Sequence, residues 1–432
     1  MRKILTLLSS FSLVATTSTA VVACGFNMGD TSADNHLVHH VLKTNLGFIE
    51  NEQEDTIKTK IKEWNPDLKM ESVIIQSIKK RVVVITATDD GVYSGKLQIN
   101  FNLKGDVVRL EDRVLVGYYF DWNGEGQTIP TFEQLAETNY NVINASFFYS
   151  KSNYEMPKYL PQNPEEVKAG IKLLQSKGKK VLISMGGSPS SEMKFRSNQK
   201  DELKETILDV VDEYGFDGLD INWAQKSLTD KTSQQTTVDA LKEIKDENPE
   251  FIITMAPEMP YLTNKSDTTG KGSYITFLKG LEGYYNWINP QLYNGRGFGP
   301  YIEPEEQKKL KIKEDYIAND NAKYRAEFYY LMTKYLTTKY SPKNDYYLID
   351  ADKFVMGAST NEIAGNGSAT KQSIKKSHKL LKKDKVYTRG LMSWAINYDA
   401  YEGMIESNGQ QVMFKKWSFE SWYNDTHNKE KK

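Results

Sequence analysis

The sequence has 432 residues, of which 39% are hydrophobic and 12% aromatic, enough apolar side chains for one large packed domain and a small one. Its 56 basic and 57 acidic residues nearly cancel, and the formal net charge is -1. This balance supplies no basic surface excess, so the composition argues against nucleic acid as a partner.

The first residues have the features of an export signal. Arg2 and Lys3 precede an apolar stretch, and small residues then lead to Cys24, the single cysteine of the chain. The run Val21-Val22-Ala23-Cys24 resembles a bacterial lipobox, which implies cleavage before Cys24 and a lipid on its sulfur. We therefore predict a signal peptide over residues 1–23 and a lipid anchor that holds the protein on the extracellular face of the cell membrane. An ordinary secretory signal followed by an unmodified thiol is the alternative.

Two segments precede the main domain. Residues 24–40 are polar and small, which is typical of a tether. Residues 41–110 predict a small α+β domain, with helical charge spacing over residues 51–63 followed by three β-rich runs. These runs begin at Met70, Arg81 and Tyr93. The segment loosely resembles the accessory domains repeated on mollicute surface lipoproteins, which implies a spacer.

Residues 111–425 have a different pattern, in which short apolar runs alternate with amphipathic helical stretches. Near-continuous apolar strands alternating with helices indicate a parallel sheet covered by helices. Eight such pairs predict an α/β fold, a closed (β/α)8 TIM barrel. An irregular stretch over residues 295–321 is expected to border its active face. The predicted strands are 114–120, 141–149, 180–187, 218–223, 251–257, 287–293, 353–359 and 390–396.

The stretch FDGLDINWAQ, residues 216–225, ends the fourth predicted strand of the barrel. Because side chains alternate between the two faces of a strand, Asp220, Asn222 and Ala224 should point together into the barrel. Polar groups buried there are costly unless they are hydrogen-bonded, so folding alone is a weak explanation for this column.

This stretch resembles the DGxDxDxE signature of family 18 glycoside hydrolases, the chitinases and their relatives. Asp217-Gly218-Leu219-Asp220 match the signature, whereas Asn222 and Ala224 depart from it. The resemblance covers residues 114 to about 420 and leaves the N-terminal segment outside. Further motifs that match in the family's order are SMGG at 184–187, MAPE at 255–258, QLYN at 291–294 and MSW at 392–394.

The resemblance also implies which catalytic groups are missing at Asn222 and Ala224. In active relatives the glutamate at the Ala224 position protonates the glycosidic oxygen, while the substrate's own 2-acetamido oxygen attacks the anomeric carbon. The aspartate at the Asn222 position orients that acetamide. Alanine has no proton to give, and loss of a general acid costs about 10²–10⁴-fold in rate. A neutral amide at position 222 should add an electrostatic loss, so we expect little or no hydrolysis by this route.

The resemblance also implies a sugar-binding surface. Trp394 would form a hydrophobic floor under a pyranose ring, and Tyr293 would hydrogen-bond the N-acetyl carbonyl. For Tyr118 and Phe147, packing in the barrel core is the favoured alternative. The predicted catalytic set is Asp220, Asn222, the degenerate acid position Ala224, and Tyr293. The predicted substrate-binding set is Trp394, Tyr293, Gln291, Glu258, Tyr118, Phe147 and Trp223, with Trp122 as a further candidate.

Two functions from different classes remain open. The first is a surface protein that binds chitin or another N-acetylglucosamine glycan without cutting it. The second is an active chitinase or endo-β-N-acetylglucosaminidase whose acid is displaced, with Glu258 as the candidate donor. A scaffold without ligand is a third, which retention of Trp394 and Tyr293 disfavours. Natural loss and engineered replacement would both produce Asn222 and Ala224.

Cofactors are not expected. Three of the five histidines, His36, His39 and His40, fall in the predicted tether, and none accompanies the barrel motifs, so no metal-ligand cluster is indicated. Neither a Walker A sequence nor a GxGxxG after a strand is present, which leaves phosphate and dinucleotide binding without support. The predicted partners are therefore a chitin-like oligosaccharide and, through the lipid anchor, the membrane.

Overall fold

A computed structural model describes residues 33–41, 45–79, 82–103, 113–188, 192–248, 250–338, 341, 343–407 and 410–427. The predicted signal peptide and the predicted lipidation site Cys24 lie outside these residues. Within the described segments, no helix combines the length and hydropathy needed to cross a membrane. The chain divides into two compact units, residues 1–104 and residues 105–432.

The first unit contains a four-stranded sheet in the order β1-β4-β3-β2. Strand β1 pairs parallel with β4, and the other neighbours are antiparallel. Ile57 and Ile61, one turn apart on helix α2, are buried in the same core as Ile85 and Ile99 of the sheet. The elements are α1 Leu37–His40, β1 Asn45–Ile49, α2 Glu54–Trp64, β2 Val73–Lys79, β3 Val82–Ala87 and β4 Lys96–Leu103.

This unit differs from the sequence prediction in two places. The predicted sheet had three strands, but the short run Asn45–Ile49 adds a fourth beside β4. The predicted tether reached residue 40, yet His36 and Leu37 are fully buried, and the Leu37 amide donates to the Ser94 carbonyl at 3.0 Å. Residues 33–40 therefore belong to the folded unit, with Leu37 in its core and Val38 packed against that core.

The second unit is a barrel of eight parallel strands with helices outside, which confirms the predicted (β/α)8 fold. Isolated bridges between Ile288 and Phe354 and between Gln291 and Gly357 nearly complete the ring. The strands of the ring are β5 Val114–Tyr119, β6 Val142–Tyr149, β8 Lys180–Gly186, β9 Gly218–Asn222, β10 Ile252–Met255, β11 Trp287–Ile288, β12 Val355–Ser359 and β13 Gly390–Trp394; β7 Lys158–Tyr159 pairs with β6 outside the ring.

Helices and one hairpin complete this unit. Strand β11 is shorter than the predicted 287–293 because Pro290 has no amide hydrogen to contribute to the ladder. The helices are α3 Phe132–Ala136, α4 Pro164–Ser176, α5 Lys200–Tyr214, α6 Lys231–Glu247, α7 Ile275–Gly280, α8 Pro304–Leu310, α9 Arg325–Thr337, α10 Lys371–Lys383, α11 Ile396–Asp399 and α12 Ser418–His427; the hairpin is β14 Gly403–Ser407 with β15 Gln410–Phe414.

The alternation of side chains on β9 sorts polar from apolar residues. Leu219 and Ile221 are fully buried in the large core between strands and helices. Asp220 and Asn222, at the intervening positions, therefore lie on the side of the barrel interior. The local sequence thus brings its polar column to the carboxyl end of the strand, the face on which barrel enzymes carry their sites.

Candidate active site

Asp220 is the centre of a hydrogen-bond network inside the barrel. Its side chain is fully buried. The Tyr118 hydroxyl donates to Oδ2 at 2.7 Å, the Ser184 hydroxyl donates to the same oxygen at 2.9 Å, and the Thr254 hydroxyl donates to Oδ1 at 2.7 Å. These donors come from β5, β8 and β10, so one carboxyl joins four strands.

Burial sets the protonation of this network. It raises the pKa of Asp220, while the three hydroxyl donors act in the opposite direction. Burial and then the neighbouring Asp220 charge hold the pKa of Tyr118 well above its usual range. Tyr118 is thus a neutral phenol, which also accepts a hydrogen bond from Asn289 Nδ2 at 2.9 Å. Tyr118 belongs to the apolar cluster of the barrel interior, as the packing alternative predicted.

Asn222 meets Gln291, which follows β11. Gln291 Nε2 donates to Asn222 Oδ1 at 3.2 Å and to the Ala256 carbonyl at 2.8 Å. Asn222 is only 6% exposed, whereas Gln291 is half-buried. The structure therefore brings together two of the predicted site residues that belong to different sequence motifs, Asn222 of the stretch 216–225 and Gln291 of QLYN.

Ala224 lies two residues beyond the end of β9. Its backbone is extended, with φ -144° and ψ 161°, and its side chain is buried. Its carbonyl accepts a hydrogen bond from the Ser227 hydroxyl at 2.6 Å, which secures the turn after the strand. The methyl group offers neither a donor nor an acceptor at this position.

The prediction that Trp223 contacts substrate is wrong. Trp223 is fully buried, and its ring centroid lies 5.9 Å from that of Phe195 and 5.2 Å from that of Phe277. All three rings belong to the core between strands and helices. The physical reason is alternation, because the residue after Asn222 must point away from the barrel interior.

Trp394 is half-buried at the end of β13 among aromatic rings. The Phe147 ring is 5.9 Å away at an interplanar angle of 13°, and the Tyr118 and Phe120 rings are 5.5 and 5.9 Å away. Trp122 is 40% exposed and stacks on Phe120 at 4.1 Å. We call Trp122, Phe147 and Trp394, with Phe120 beneath them, the aromatic wall.

Two residues that support the aromatic wall were missed from the sequence. Phe120 continues the alternation of Tyr118 and Trp122, a signal that could have identified it. Asn397 accepts a hydrogen bond from the Phe120 amide at 3.2 Å and donates to the Phe120 carbonyl at 2.7 Å. These two hydrogen bonds to the Phe120 backbone join the end of β5 to the segment after Trp394. No local sequence pattern indicates them.

Glu258 and Tyr293 supply the remaining polar groups. Burial raises the pKa of Glu258, and the charge of Arg296 lowers it in part. Burial also raises the pKa of Tyr293 well above its usual range, with further contributions from the Glu258 and Asp220 carboxylates. Tyr293 is therefore a neutral donor close to both acids. No trio of histidine, cysteine, aspartate and glutamate side chains suited to a metal ion occurs among the described residues.

Comparison with known proteins identifies the same family that the sequence motifs resemble. A family model described as "Glycosyl hydrolases family 18" matches residues 114–428. A chitinase from Enterococcus faecalis is 32% identical over 323 residues, which cover 71% of this chain and 85% of that protein. A probable class II chitinase from Arthroderma benhamiae is 27% identical over 272 residues, covering 56% of this chain and 78% of that protein.

Solved structures agree in fold. A family GH18 chitinase from Chromobacterium violaceum superposes with a TM-score of 0.58 at 19% identity, covering 82% of this chain and 96% of that one. A putative chitinase A from Streptomyces coelicolor gives a TM-score of 0.53 at 18% identity, covering 74% and 98%. At such identities the likeness concerns the barrel architecture.

Asp220→Asn is expected to change how stability depends on pH. Burial raises the folded-state pKa of Asp220 above its usual 3.8, so the folded protein holds this proton more tightly than the unfolded chain does. The stabilisation is fully present below the unfolded pKa and is lost as pH rises through the folded pKa. Urea unfolding from about pH 4 to 8 should therefore show wild type losing stability relative to Asp220→Asn. A relative gain by wild type on raising the pH would contradict this assignment.

Proposed function

The chain belongs to glycoside hydrolase family 18, and from that premise we propose that it binds chitin or another N-acetylglucosamine-containing glycan and cleaves it little or not at all. One observation carries the proposal. The aromatic wall leaves part of Trp394 and 40% of Trp122 accessible, while the acid position of the family motif holds Ala224.

Binding is supported by the chemistry of the accessible groups. A pyranose ring has an apolar face that packs on an aromatic plane, and Trp394 and Trp122 offer such planes. Tyr293, buried in the barrel-interior cluster against which Trp394 packs, adds a neutral hydroxyl donor. Ordinary folding does not favour leaving large aromatic surfaces in contact with water, so their partial exposure supports a ligand role.

The proposal of little or no cleavage is supported by the side chains at the three positions where the family signature has a carboxyl group. Asp220 is fully buried, and both of its oxygens accept hydrogen bonds from protein hydroxyls. Asn222 is a neutral amide, and Ala224 has no ionisable group. None of the three can protonate a glycosidic oxygen, which removes the step that general acid catalysis would supply.

An active hydrolase with a displaced acid is the second candidate. The specific observation in its favour is Glu258, which is half-buried and has a raised pKa because of that burial. A carboxyl group with a raised pKa retains its proton closer to neutral pH, as a general acid must. On this alternative, wild type releases short oligomers and Glu258→Gln abolishes that release.

The first test is calorimetric titration of the mature protein with a chitin hexamer, followed by mass analysis of the recovered sugar. We expect binding heat and intact hexamer from wild type. Trp394→Ala should lower affinity at least about tenfold, because truncating a central aromatic contact removes much of the binding energy. Tyr387→Ala, three residues before the start of the same strand, is the matched control and should leave affinity unchanged. Absence of heat with wild type would refute chitin binding.

Restoring both lost carboxylates is expected to create activity. The double variant Asn222→Asp with Ala224→Glu returns the acid and its supporting charge, so hydrolysis of the hexamer should rise by about 10²–10⁴-fold over wild type. Release of reducing sugar over time is the measurement. The same double variant combined with Glu258→Gln is the control, because activity that vanishes with Glu258 would indicate the displaced acid instead.

We further propose that the protein is exported and anchored by lipid on Cys24, and that residues 41–110 hold the barrel away from the membrane. The basis is the sequence run Val21-Val22-Ala23-Cys24 behind an export signal. Cys24→Ala should move the protein from the detergent phase to the aqueous phase in a two-phase partition, because firm membrane attachment needs the acyl chains. Continued partition of Cys24→Ala with detergent would contradict lipidation there.

A further inference from the structure

A strained turn lies at the mouth of the site, directly after the QLYN motif. The Phe298 amide donates to the Gly295 carbonyl at 2.8 Å, which closes a turn with Arg296 and Gly297 at its centre. Both central residues are left-handed, with φ of 47° and 82°. A turn of this kind, type I′, favours the pair Asn-Gly, because asparagine tolerates a positive φ better than a long side chain does. Arg296 therefore occupies a position at which asparagine would suit the backbone better.

Neighbouring segments hold this turn in place. The Gly297 amide donates to Asn319 Oδ1 at 3.2 Å. An added Cβ on Gly295 would lie 2.5 Å from Met259 Cε, so the turn also fits closely against the segment that follows β10. The base of the Arg296 side chain is thus fixed on both sides, although the side chain itself is exposed.

Protein contacts of the Arg296 side chain do not offset this strain. Among the residues that the structure describes, its guanidinium takes part in no hydrogen bond and no ion pair. Its charge acts on Glu258 and Tyr261, which both follow β10, so the guanidinium lies near the mouth between β10 and β11. Asp320 is a further carboxylate beside the turn, and its charge acts on Tyr316. A strained residue without a folding benefit is typical of ligand sites.

We propose that Arg296 is a specificity-determining residue that binds a carboxylate carried by the glycan, so that the site prefers acidic N-acetylglucosamine-containing glycans to neutral chitin. This rests on the proposed glycan binding. A guanidinium presents paired N–H donors in one plane, which match the two oxygens of a carboxylate. The fixed turn limits the freedom that the guanidinium loses on binding, which favours affinity. The carboxylate can belong to an oxidised N-acetylglucosamine or to a neighbouring uronic acid.

The test compares three hexasaccharides by calorimetric titration at low ionic strength. They are a chitin hexamer, a chitin hexamer oxidised to the carboxylate at C6, and a hyaluronan hexamer, whose carboxylates lie on the intervening uronic acids. Wild type should bind at least one acidic hexamer about tenfold more tightly than the chitin hexamer, and the preferred one identifies the sugar that bears the carboxylate. Arg296→Asn should abolish the preference. Its melting temperature should not fall, because Asn-Gly suits the turn.

Lys311→Asn is the matched control. Lys311 is likewise an exposed cation in the left-handed conformation, with φ 56°, directly after α8. Lys309, two residues before it, contacts Asp384 beyond the carboxyl end of α10. Because barrel helices run opposite to the strands, this contact places Lys311 toward the face opposite the site. Lys311→Asn removes one charge and one strained residue, as Arg296→Asn does, and should keep the preference for the acidic hexamer.

The outcomes separate this inference from the function on which it rests. If wild type binds none of the three hexamers, glycan binding itself fails. If wild type binds the chitin hexamer and neither acidic one more tightly, or if Arg296→Asn keeps the preference, only the inference about Arg296 is overturned. Loss of the preference in Lys311→Asn would indicate an effect of net charge and would also overturn it. Should Arg296→Asn fail to fold, Arg296→Gly makes the same comparison, because glycine adopts a positive φ without strain.

Discussion

The buried carboxyl of Asp220 is the constraint on which the barrel interior depends. Removing such a group from water is costly unless donors replace the lost hydration, and Tyr118, Ser184 and Thr254 provide them from three other strands. The network is satisfied in only one register, because a slip of one residue would carry Asp220 into the apolar core outside the strands. Asn222 lies two positions further on the same face and inherits its placement from this requirement.

The aromatic wall depends on a second connection, between the ends of β5 and β13. Asn397 binds both backbone groups of Phe120, and Phe120 in turn supports the ring of Trp122. Because both hydrogen bonds go to the backbone, the connection does not restrict which side chain occupies position 120. Phe147 and Trp394 lie on strands β6 and β13, and this placement helps the wall to offer a preorganised surface to a ligand.

The strand and helix alternation was enough to predict the barrel, since each element carries its own period. Alternation within β9 likewise predicted Asp220 and Asn222 on one face, and consistent use of it would have excluded Trp223. The Asn397 contact with Phe120 joins residues far apart in sequence and depends on barrel closure, so local patterns contain no trace of it. The orientation of Asn222 was equally inaccessible, because it requires Gln291 and the Ala256 carbonyl to meet at one point in space.

Asp220, Asn222 and Ala224 differ in how many neighbouring groups need them as hydrogen-bond partners, and this difference decides how each residue should be interpreted. Replacing Asp220 by an apolar residue would leave three buried hydroxyls without an acceptor, so its presence has a folding explanation and is weak evidence for catalysis. Asn222 satisfies one neighbour, Gln291, which an amide or a carboxylate could do equally well. Ala224 leaves no donor unpaired. Packing therefore tolerates the absence of a carboxylate at positions 222 and 224, whereas position 220 needs a hydrogen-bond acceptor. Partial exposure of Trp394 lacks any such folding benefit, and it is therefore the stronger indication that this site still meets a ligand.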